Sequence, residues 1–291
     1  MIFPHGPLKL RRQSAYCILP HIVKNKGGEK MTGVGKFCLV LILVLLCNGT
    51  NASAGLVGYW NFEEGIGTVA HDSANNSDGN IYGASWTSGK VGNALNFDGI
   101  NDYIDVGDIP ILDISSAITL EAWAKTTLTT NDTIISKDDD HGNREYYLGL
   151  GYGVEVPGKV RWALKTTAFE DIDSSESAND GQWHHIAATY DGSYLRTYID
   201  GIEDSNSPIV QTGFIPNTNA SFRIGAMSDI GYEQYFQGTI DEVRIYNNAL
   251  TQDEIVRDMN FNNTAVPEPS TIFLLGSGLL GTFLRRRRIR P

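Results

Sequence analysis

Residues 183–203 read WHHIAATYDGSYLRTYIDGIE and decide the fold, because three runs rich in β-branched and aromatic residues are separated by two Asp-Gly pairs. Aspartate and glycine accept the positive φ angles that tight hairpin turns require, so Asp191-Gly192 and Asp200-Gly201 each predict a hairpin. These residues are therefore predicted to form a three-stranded meander. Alternation along its middle strand places one set of side chains on one face and the other set on the opposite face: Leu195, Thr197 and Ile199 against Arg196, Tyr198 and Asp200.

The same strand pattern recurs on both sides of the meander, with turns of Gly, Asn and Asp between the runs. The other predicted strands are residues 56–62, 94–97, 103–106, 118–125, 133–137, 146–150, 160–165, 221–224 and 235–246. One helix is predicted, since Thr251 and Glu254 form a capping box ahead of an apolar run. The fold class is therefore all-β, an antiparallel two-sheet sandwich with one short helix near its C-terminal end.

The middle of the chain is strongly acidic. Residues 55–266 contain 11 basic and 32 acidic side chains, a net charge of −21 against −11 for the whole chain. Such a domain repels phosphate backbones, which argues against nucleic acid as a partner and suits divalent cations. The three cysteines, Cys17, Cys38 and Cys47, all precede residue 55, so disulfides and cysteine metal sites are not expected in the domain.

Residues 1–54 are interpreted as a leader that carries a secretory signal. A basic residue, Lys36, precedes an apolar run over residues 37–47, and the small-residue triplet Ala52-Ser53-Ala54 follows. This order predicts cleavage after Ala54. The run is too short for an ordinary transmembrane helix, which needs about 20 residues. Met31 lies where a signal peptide normally begins, which points to a start later than residue 1.

Residues 263–291 are interpreted as a linker and a sorting tail. A Pro-Glu-Pro motif precedes a mostly apolar stretch, residues 271–284, and four arginines. As a helix that stretch spans about 21 Å, short of the roughly 30 Å hydrocarbon core, so it predicts a transient inner-membrane anchor with the arginines on the cytoplasmic side. The residues of the motif are Pro267, Glu268, Pro269, Arg285, Arg286, Arg287 and Arg288.

This tail resembles the PEP-CTERM sorting signal of Gram-negative bacteria, since all three parts occur in order. The resemblance implies recognition by an exosortase-type membrane protease and a link to exopolysaccharide and biofilm production. The expected location is therefore the inner membrane at first, and then the outer surface or the extracellular matrix.

The domain, residues 55–262, resembles the LamG-like jelly rolls of the concanavalin A-like lectin and glucanase superfamily. The matching segments, in family order, are residues 57–62 (VGYWNF), 94–99 (ALNFDG), 101–104 (NDYI), 120–123 (LEAW), 183–192 (WHHIAATYDG) and 236–246 (FQGTIDEVRIY). The resemblance implies a jelly-roll fold. It says little about activity, because members of the family serve as lectins, adhesion modules and appendages of enzymes.

No catalytic constellation is predicted. Glucan-cleaving enzymes that this superfamily contains resemble one another in an E-x-D-x-E type strand, in which alternation places the carboxylates on one face. That pattern is missing from this sequence. The nearest acidic cluster, residues 170–173 (EDID), is interpreted as a solvated loop. The adjacent His184 and His185 face opposite sides of a strand and cannot form one site.

A structural calcium ion is the cofactor that the sequence suggests. Residues 71–80 (HDSANNSDGN) offer carboxylate, amide and carbonyl oxygens, which suit a cation that takes six to eight hard ligands. Domains that the chain resembles often hold calcium between early loops and an acidic residue near the last strand. The candidate ligands are therefore Asp72, Asn76 and Asp241, with Glu63 behind them; an ordinary Asn-rich turn is the alternative.

Sugar binding needs aromatic rings for the apolar face of a pyranose, with polar groups beside them. Tyr152, Trp162, Tyr232 and Tyr235 lie in or next to predicted loops and are the candidate ligand contacts.

The expected function is that of an exported, non-catalytic, lectin-like module that binds polysaccharide or a glycoconjugate at the cell surface or in the exopolysaccharide matrix. Two alternatives remain: an enzyme of polysaccharide breakdown with the same fold, and a structural or adhesive matrix protein that binds other proteins.

Overall fold

The computed structural model describes residues 55–129, 132–138, 144–151, 157–166, 169–227 and 234–261. The leader with Ala52 and Ala54, the tail from residue 262 onward, Tyr152 and Tyr232 lie outside the described residues.

Short strands separated by tight turns make up most of the described chain. The first nine are β1 (Leu56–Trp60), β2 (Val69–Ala70), β3 (Gly79–Tyr82), β4 (Ser85–Ser88), β5 (Asn93–Asp98), β6 (Tyr103–Gly107), β7 (Ile118–Lys125), β8 (Asp132–Asp138) and β9 (Arg144–Leu150). The remaining strands are β10 (Lys159–Lys165), β11 (Phe169–Ser177), β12 (His184–Tyr190), β13 (Tyr194–Ile199), β14 (Ile202–Glu203), β15 (Ile209–Val210), β16 (Phe222–Ile224) and β17 (Gln237–Tyr246). A helix, α1 (Gln252–Met259), follows the last strand.

The strands pair into two antiparallel sheets. The first sheet has the order β14-β13-β12-β7-β17-β5-β4, with β1 paired to β17 and β15 paired to β13. The second sheet has the order β11-β10-β9-β8-β16-β6-β3-β2. Sequence neighbours are often not sheet neighbours, as in a jelly roll. The predicted two-sheet sandwich is confirmed.

The core lies between the sheets because alternate residues of each strand are apolar. Trp60 of the first sheet stacks on Phe222 of the second, with ring centroids 5.2 Å apart. One continuous cluster of buried apolar side chains extends through both sheets. The outer faces therefore carry polar residues, or apolar residues that other elements cover.

The predicted meander is confirmed as β12-β13-β14, with Gly192 at φ 88° and the Asp200-Gly201 turn at φ 51° and 77°. The predicted helix is also confirmed, since Thr251 and Glu254 form both hydrogen bonds of the capping box. Helix α1 buries Ile255 against the outer face of the first sheet. In the described part of the chain, no helix has the length and apolar character needed to cross a bilayer.

One loop prediction is wrong. Residues 170–173 lie in β11, which pairs with β10 over its length. The strand forms despite its polar composition because Ile172 turns inward, while Asp171 contacts Arg161 on the other face and Asp173 lies 3.6 Å from the same guanidinium.

Candidate functional site

A polar and aromatic strip lies on the outer face of the second sheet. Isoleucines of β3, β6 and β16 face the core, so their sequence neighbours face away from it. Tyr82 and Tyr103 are register partners on β3 and β6. Asn80, Asp105 and Arg223 form the adjacent row across β3, β6 and β16. These five residues, Asn80, Tyr82, Tyr103, Asp105 and Arg223, are called the Tyr82 platform below.

Three planar side chains of the platform stack in sequence. The rings of Tyr82 and Tyr103 are nearly parallel, with centroids 4.7 Å apart and an interplanar angle of 18°. The Arg223 guanidinium lies 4.7 Å from the centroid of Tyr103. Because β6 lies between β3 and β16, Tyr82 and Arg223 approach Tyr103 from opposite sides. Tyr82 remains 46% exposed at the end of this stack, so it is the aromatic surface that a ligand can cover.

Polar groups flank the stack. Arg223 Nε lies 3.7 Å from Asp105 Oδ2, and its Nη1 donates a long hydrogen bond of 3.5 Å to the Met227 carbonyl. Asp105 Oδ1 accepts a hydrogen bond from the Gly107 amide. The platform therefore joins an exposed aromatic ring to a guanidinium, a carboxylate and an amide, the kind of lining that orients a polar ligand.

The structure places the four predicted aromatic ligand contacts in different environments. Tyr235 lies beside the platform, with its ring centroid 6.5 Å from that of Tyr103. The prediction for Trp162 is wrong: it is fully buried in β10, and its Nε1 donates to the Thr189 carbonyl at 3.2 Å. Tyr152 and Tyr232 lie outside the described residues. Tyr82 and Tyr103 were not predicted as ligand contacts from the sequence, although alternation with Ile104 places Tyr103 on an outer face.

A second feature is the tight turn between β4 and β5, here called the Gly89 turn (residues 89–93). The Gly89 amide donates to the Gly92 carbonyl at 3.0 Å. Asp241 Oδ2 accepts from the Val91 amide at 3.0 Å. Glu63 holds the other side so closely that any side chain at Gly92 would collide with both of its carboxylate oxygens. Two of the predicted metal ligands, Asp241 and Glu63, therefore meet on one turn.

Oxygen atoms converge at this turn. A Cβ atom placed on Gly89 would lie 2.5 Å from Asp241 Oδ2, 2.6 Å from the Asn93 carbonyl oxygen and 2.7 Å from the Val91 carbonyl oxygen. Asp241 Oδ1 and Glu63 Oε1 are enclosed without a hydrogen-bond partner. Carboxylate and carbonyl oxygens are the ligands that Ca²⁺ prefers, so the donor chemistry of the turn fits that ion.

The charges around the Gly89 turn also favour a bound cation. Burial, together with the neighbouring Glu242 carboxylate, raises the pKa of Asp241 to about 7. The pKa of Glu63 is also raised by burial, with Glu242 and Glu64 adding to the effect. The nearby cation Arg244 already pairs with Glu242. Both carboxyl groups thus lie near the Glu242 carboxylate, and neither forms an ion pair with a cation among the described residues.

The structure gives Asp72 a role different from the predicted one. Its carboxylate accepts four backbone N–H groups at 2.8–3.1 Å, from Tyr59, Ala74, Asn75 and Ser77. All of its lone pairs are therefore engaged in shaping the loop after β2. Asn76 lies in the same loop with φ 59°, and its part in a metal site stays a prediction. Across the described ranges, no three His, Cys, Asp or Glu side chains are grouped to hold a metal ion.

Comparison with protein families agrees with this architecture. The model of the concanavalin A-like lectin/glucanases superfamily matches residues 98–256. The chain belongs to this superfamily. A second model, the PEP-CTERM protein-sorting motif, matches residues 265–288. The motif that the sequence resembles is thereby confirmed, and it implies export and sorting to the cell surface through an exosortase-type system.

Among known proteins, mouse pappalysin-1 (Mus musculus) is 29% identical over 140 residues, which span 47% of this chain but 8% of pappalysin-1. Domain 4 of AbnA, an extracellular arabinanase of Geobacillus stearothermophilus solved with arabinotriose, superimposes with a TM-score of 0.58 at 24% identity. That match covers 71% of this chain and 99% of the other. A Trypanosoma rangeli sialidase matches with a TM-score of 0.52 and 19% identity, over 74% of this concanavalin A-like chain and 34% of the sialidase. At such identities the likeness shows the fold alone.

Proposed function

We propose that this protein is an exported, non-catalytic glycan-binding module of the cell surface or the exopolysaccharide matrix, and that the Tyr82 platform is its binding surface. The observation that carries the proposal is the Tyr82–Tyr103–Arg223 stack, which ends in an exposed aromatic ring and is bordered by hydrogen-bonding groups. An aromatic ring with an apolar face and polar neighbours suits a sugar ring.

Two further observations support the proposal. The fold is similar to AbnA domain 4, which was solved with arabinotriose. The platform also lies on the outer face of the second sheet, whereas the helix that leads to the sorting tail packs on the outer face of the first. The ligand surface is therefore on the side of the sandwich away from that helix.

The test is to measure retention of the exported protein on a panel of polysaccharides. We expect Tyr82→Ala to weaken binding to the retained polysaccharide about tenfold, which corresponds to about 1.4 kcal/mol, a magnitude typical of a buried aromatic contact. Tyr194→Ala is the matched control, because Tyr194 has a similar exposure of 39% but lies on the first sheet. Equal affinities of the two variants and the parent would contradict the proposal.

One structural feature is compatible with the enzyme alternative, a pair of aspartates on β11. Asp171 and Asp173 alternate on β11 and share the outer face of the second sheet. Arg161, however, contacts Asp171 and lies 3.6 Å from Asp173. Release of reducing ends from matrix glycans that disappears in Asp171→Asn would favour the enzyme. Binding to matrix proteins with no retention on glycans would favour the adhesive alternative.

We further propose that the Gly89 turn holds a structural Ca²⁺ ion with Asp241 and Glu63 as its carboxylate ligands. The support is the pair of enclosed, unpartnered oxygens together with the convergence of carbonyl oxygens on the turn. The ion would neutralise the two carboxylates and fix the β4–β5 hairpin against β17. Asp72 takes no part in this proposal.

Calcium titration with thermal melting tests the site. We expect Ca²⁺ to raise the Tm of the parent protein and chelator to lower it, since a ligand that binds only the folded state stabilises it. Asp241→Asn should abolish the calcium-dependent shift. Asp72→Asn is the control: it should lower Tm equally with calcium and with chelator, because its carboxylate binds backbone amides. A shift that is lost in Asp72→Asn and kept in Asp241→Asn would overturn the assignment.

A further inference from the structure

The polar row of the Tyr82 platform contains both hydrogen-bond donors and acceptors. Asn80, Asp105 and Arg223 are register partners on neighbouring strands, so amide, carboxylate and guanidinium follow one another beside the aromatic pair. A guanidinium only donates hydrogen bonds, an ionised carboxylate only accepts them, and an amide does both. A sugar hydroxyl also donates and accepts, so neighbouring hydroxyl groups match this row.

Arg223 retains hydrogen-bonding capacity for such a ligand. Arg161 and Arg244 form close contacts with carboxylates, and Arg196 lies 2.7 Å from Asp191. The Arg223 pair is longer, at 3.7 Å, and its Nε is enclosed without a hydrogen-bond partner. Both side chains of the pair are partly exposed, so a ligand can reach the guanidinium and the Asp105 carboxylate.

The charges around the platform do not suit an anion. Among the described residues of the platform, the charge of Arg223 is offset by Asp105. Farther along the same face, Arg161 lies against Asp171 and Asp173, and two lysines of β10 flank it. The repulsion of an anion therefore comes from the charge of the domain as a whole. Residues 55–266 together carry 11 basic and 32 acidic side chains. A polyanion approaching so acidic a domain meets net repulsion rather than attraction.

We infer that the ligand class of the Tyr82 platform is an uncharged polysaccharide, bound with one sugar ring over Tyr82 and neighbouring hydroxyl groups on Arg223 and Asp105. This inference rests on the proposed function and narrows it. Polysaccharides whose sugars carry carboxylate, sulfate or ketal-linked pyruvate groups are excluded as preferred ligands of this surface.

The experiment measures how tightly the exported protein binds a neutral polysaccharide and a carboxylated derivative of the same polymer. Each neutral polysaccharide retained in the panel is tested beside its own derivative oxidised to a carboxylate at the primary hydroxyl, at low and at physiological salt. We expect the carboxylated polymer to bind about tenfold more weakly at low salt, with the difference shrinking as salt screens the repulsion. The neutral polymer should bind almost independently of salt.

Two variants separate the possible outcomes. Asp105→Asn removes the acceptor charge, so it should weaken binding of the neutral polymer, whereas an anionic ligand would bind more tightly to it. Arg223→Lys keeps the charge but loses the planar stack, and should also weaken neutral binding; unchanged Tm values show that both variants are folded. Tyr82-dependent binding that favours the carboxylated polymer overturns this inference alone. Binding that Tyr82→Ala leaves unchanged overturns the proposed function as well.

Discussion

His184 lies between two carboxylates at the start of β12. Its Nδ1 is 2.8 Å from Asp200 Oδ2, and its Nε2 is 3.0 Å from Asp180 Oδ1. Burial acts to lower the pKa of His184, but the hydrogen bonds to the two carboxylates outweigh it and the pKa is raised above 6.5. A raised pKa in the folded state means that the protonated ring stabilises the fold.

This arrangement predicts a pH-dependent stability. Because the folded pKa exceeds the unfolded value of 6.5, the contribution is complete below pH 6.5 and is lost as the pH rises through the folded pKa. The free energy of unfolding of His184→Gln should therefore fall below that of the parent by up to about 1 kcal/mol at pH 5.5, a partly exposed pair being worth no more. The gap should close by pH 9. Chemical denaturation at both pH values measures it, and a gap that widens with pH contradicts the prediction.

The environment of Glu121 depends on tertiary packing that its own strand does not encode. Glu121 lies on the outer face of β7, where alternation taken alone suggests a solvated carboxylate. In the structure Glu121 is fully buried, and burial raises its pKa well above the ordinary range. The cause is tertiary packing, because helix α1 covers that face through Ile255. The residue pattern of β7 does not predict that a helix packs there.

Among the elements, the strands with clear alternation could be predicted to within about two residues, because their inward side chains are apolar. Strands β3, β4 and β11 were not predicted, and neither were the two-residue strands β2 and β15. The three longer ones lack the alternation signal, since each has few apolar residues and depends on pairing with a stronger neighbour. The Tyr82 platform could not be predicted for the same reason. Tyr82 lies on β3, and its register with Tyr103 on β6 follows from sheet pairing that the sequence does not reveal.

The capping box of α1 carries a prediction at this scale. The Glu254 amide donates to Thr251 Oγ1, and Glu254 Oε2 accepts from the Thr251 amide at 2.9 Å. Thr251→Ala removes the side-chain acceptor and should destabilise the protein by about 1 kcal/mol. Thr251→Ser, which keeps the hydroxyl, should stay within a few tenths of a kcal/mol of the parent. Denaturant titration measures both; an equal loss in the two variants would show that the threonine methyl group, rather than the cap, matters.

At the scale of the whole molecule, the first and last strands of the described residues lie side by side in one sheet. Strand β1 pairs with the last strand, β17, and Trp60 at the end of β1 packs on Phe222 of the opposite sheet. The chain folds back on itself in this way without any cysteine in the described residues, because Cys17, Cys38 and Cys47 precede them. The described residues must then be stable without disulfide cross-links, which burial of an apolar cluster of this size allows.

A fragment of residues 55–261 should therefore fold alone, with a β-type circular dichroism spectrum and a single cooperative melt that a thiol reductant leaves unchanged. The matched control is residues 62–261, which lacks β1 and with it Trp60, a fully buried side chain of the core. Loss of the buried tryptophan alone costs about 3–5 kcal/mol, which is a large part of the stability of a typical domain. Loss of the pairing with β17 adds to this cost. We expect the shorter fragment to be unfolded or to melt far below the longer one. If both melt alike, or if the longer fragment is helical or unfolded, then the stability of the sandwich does not come from the closure of its first and last strands.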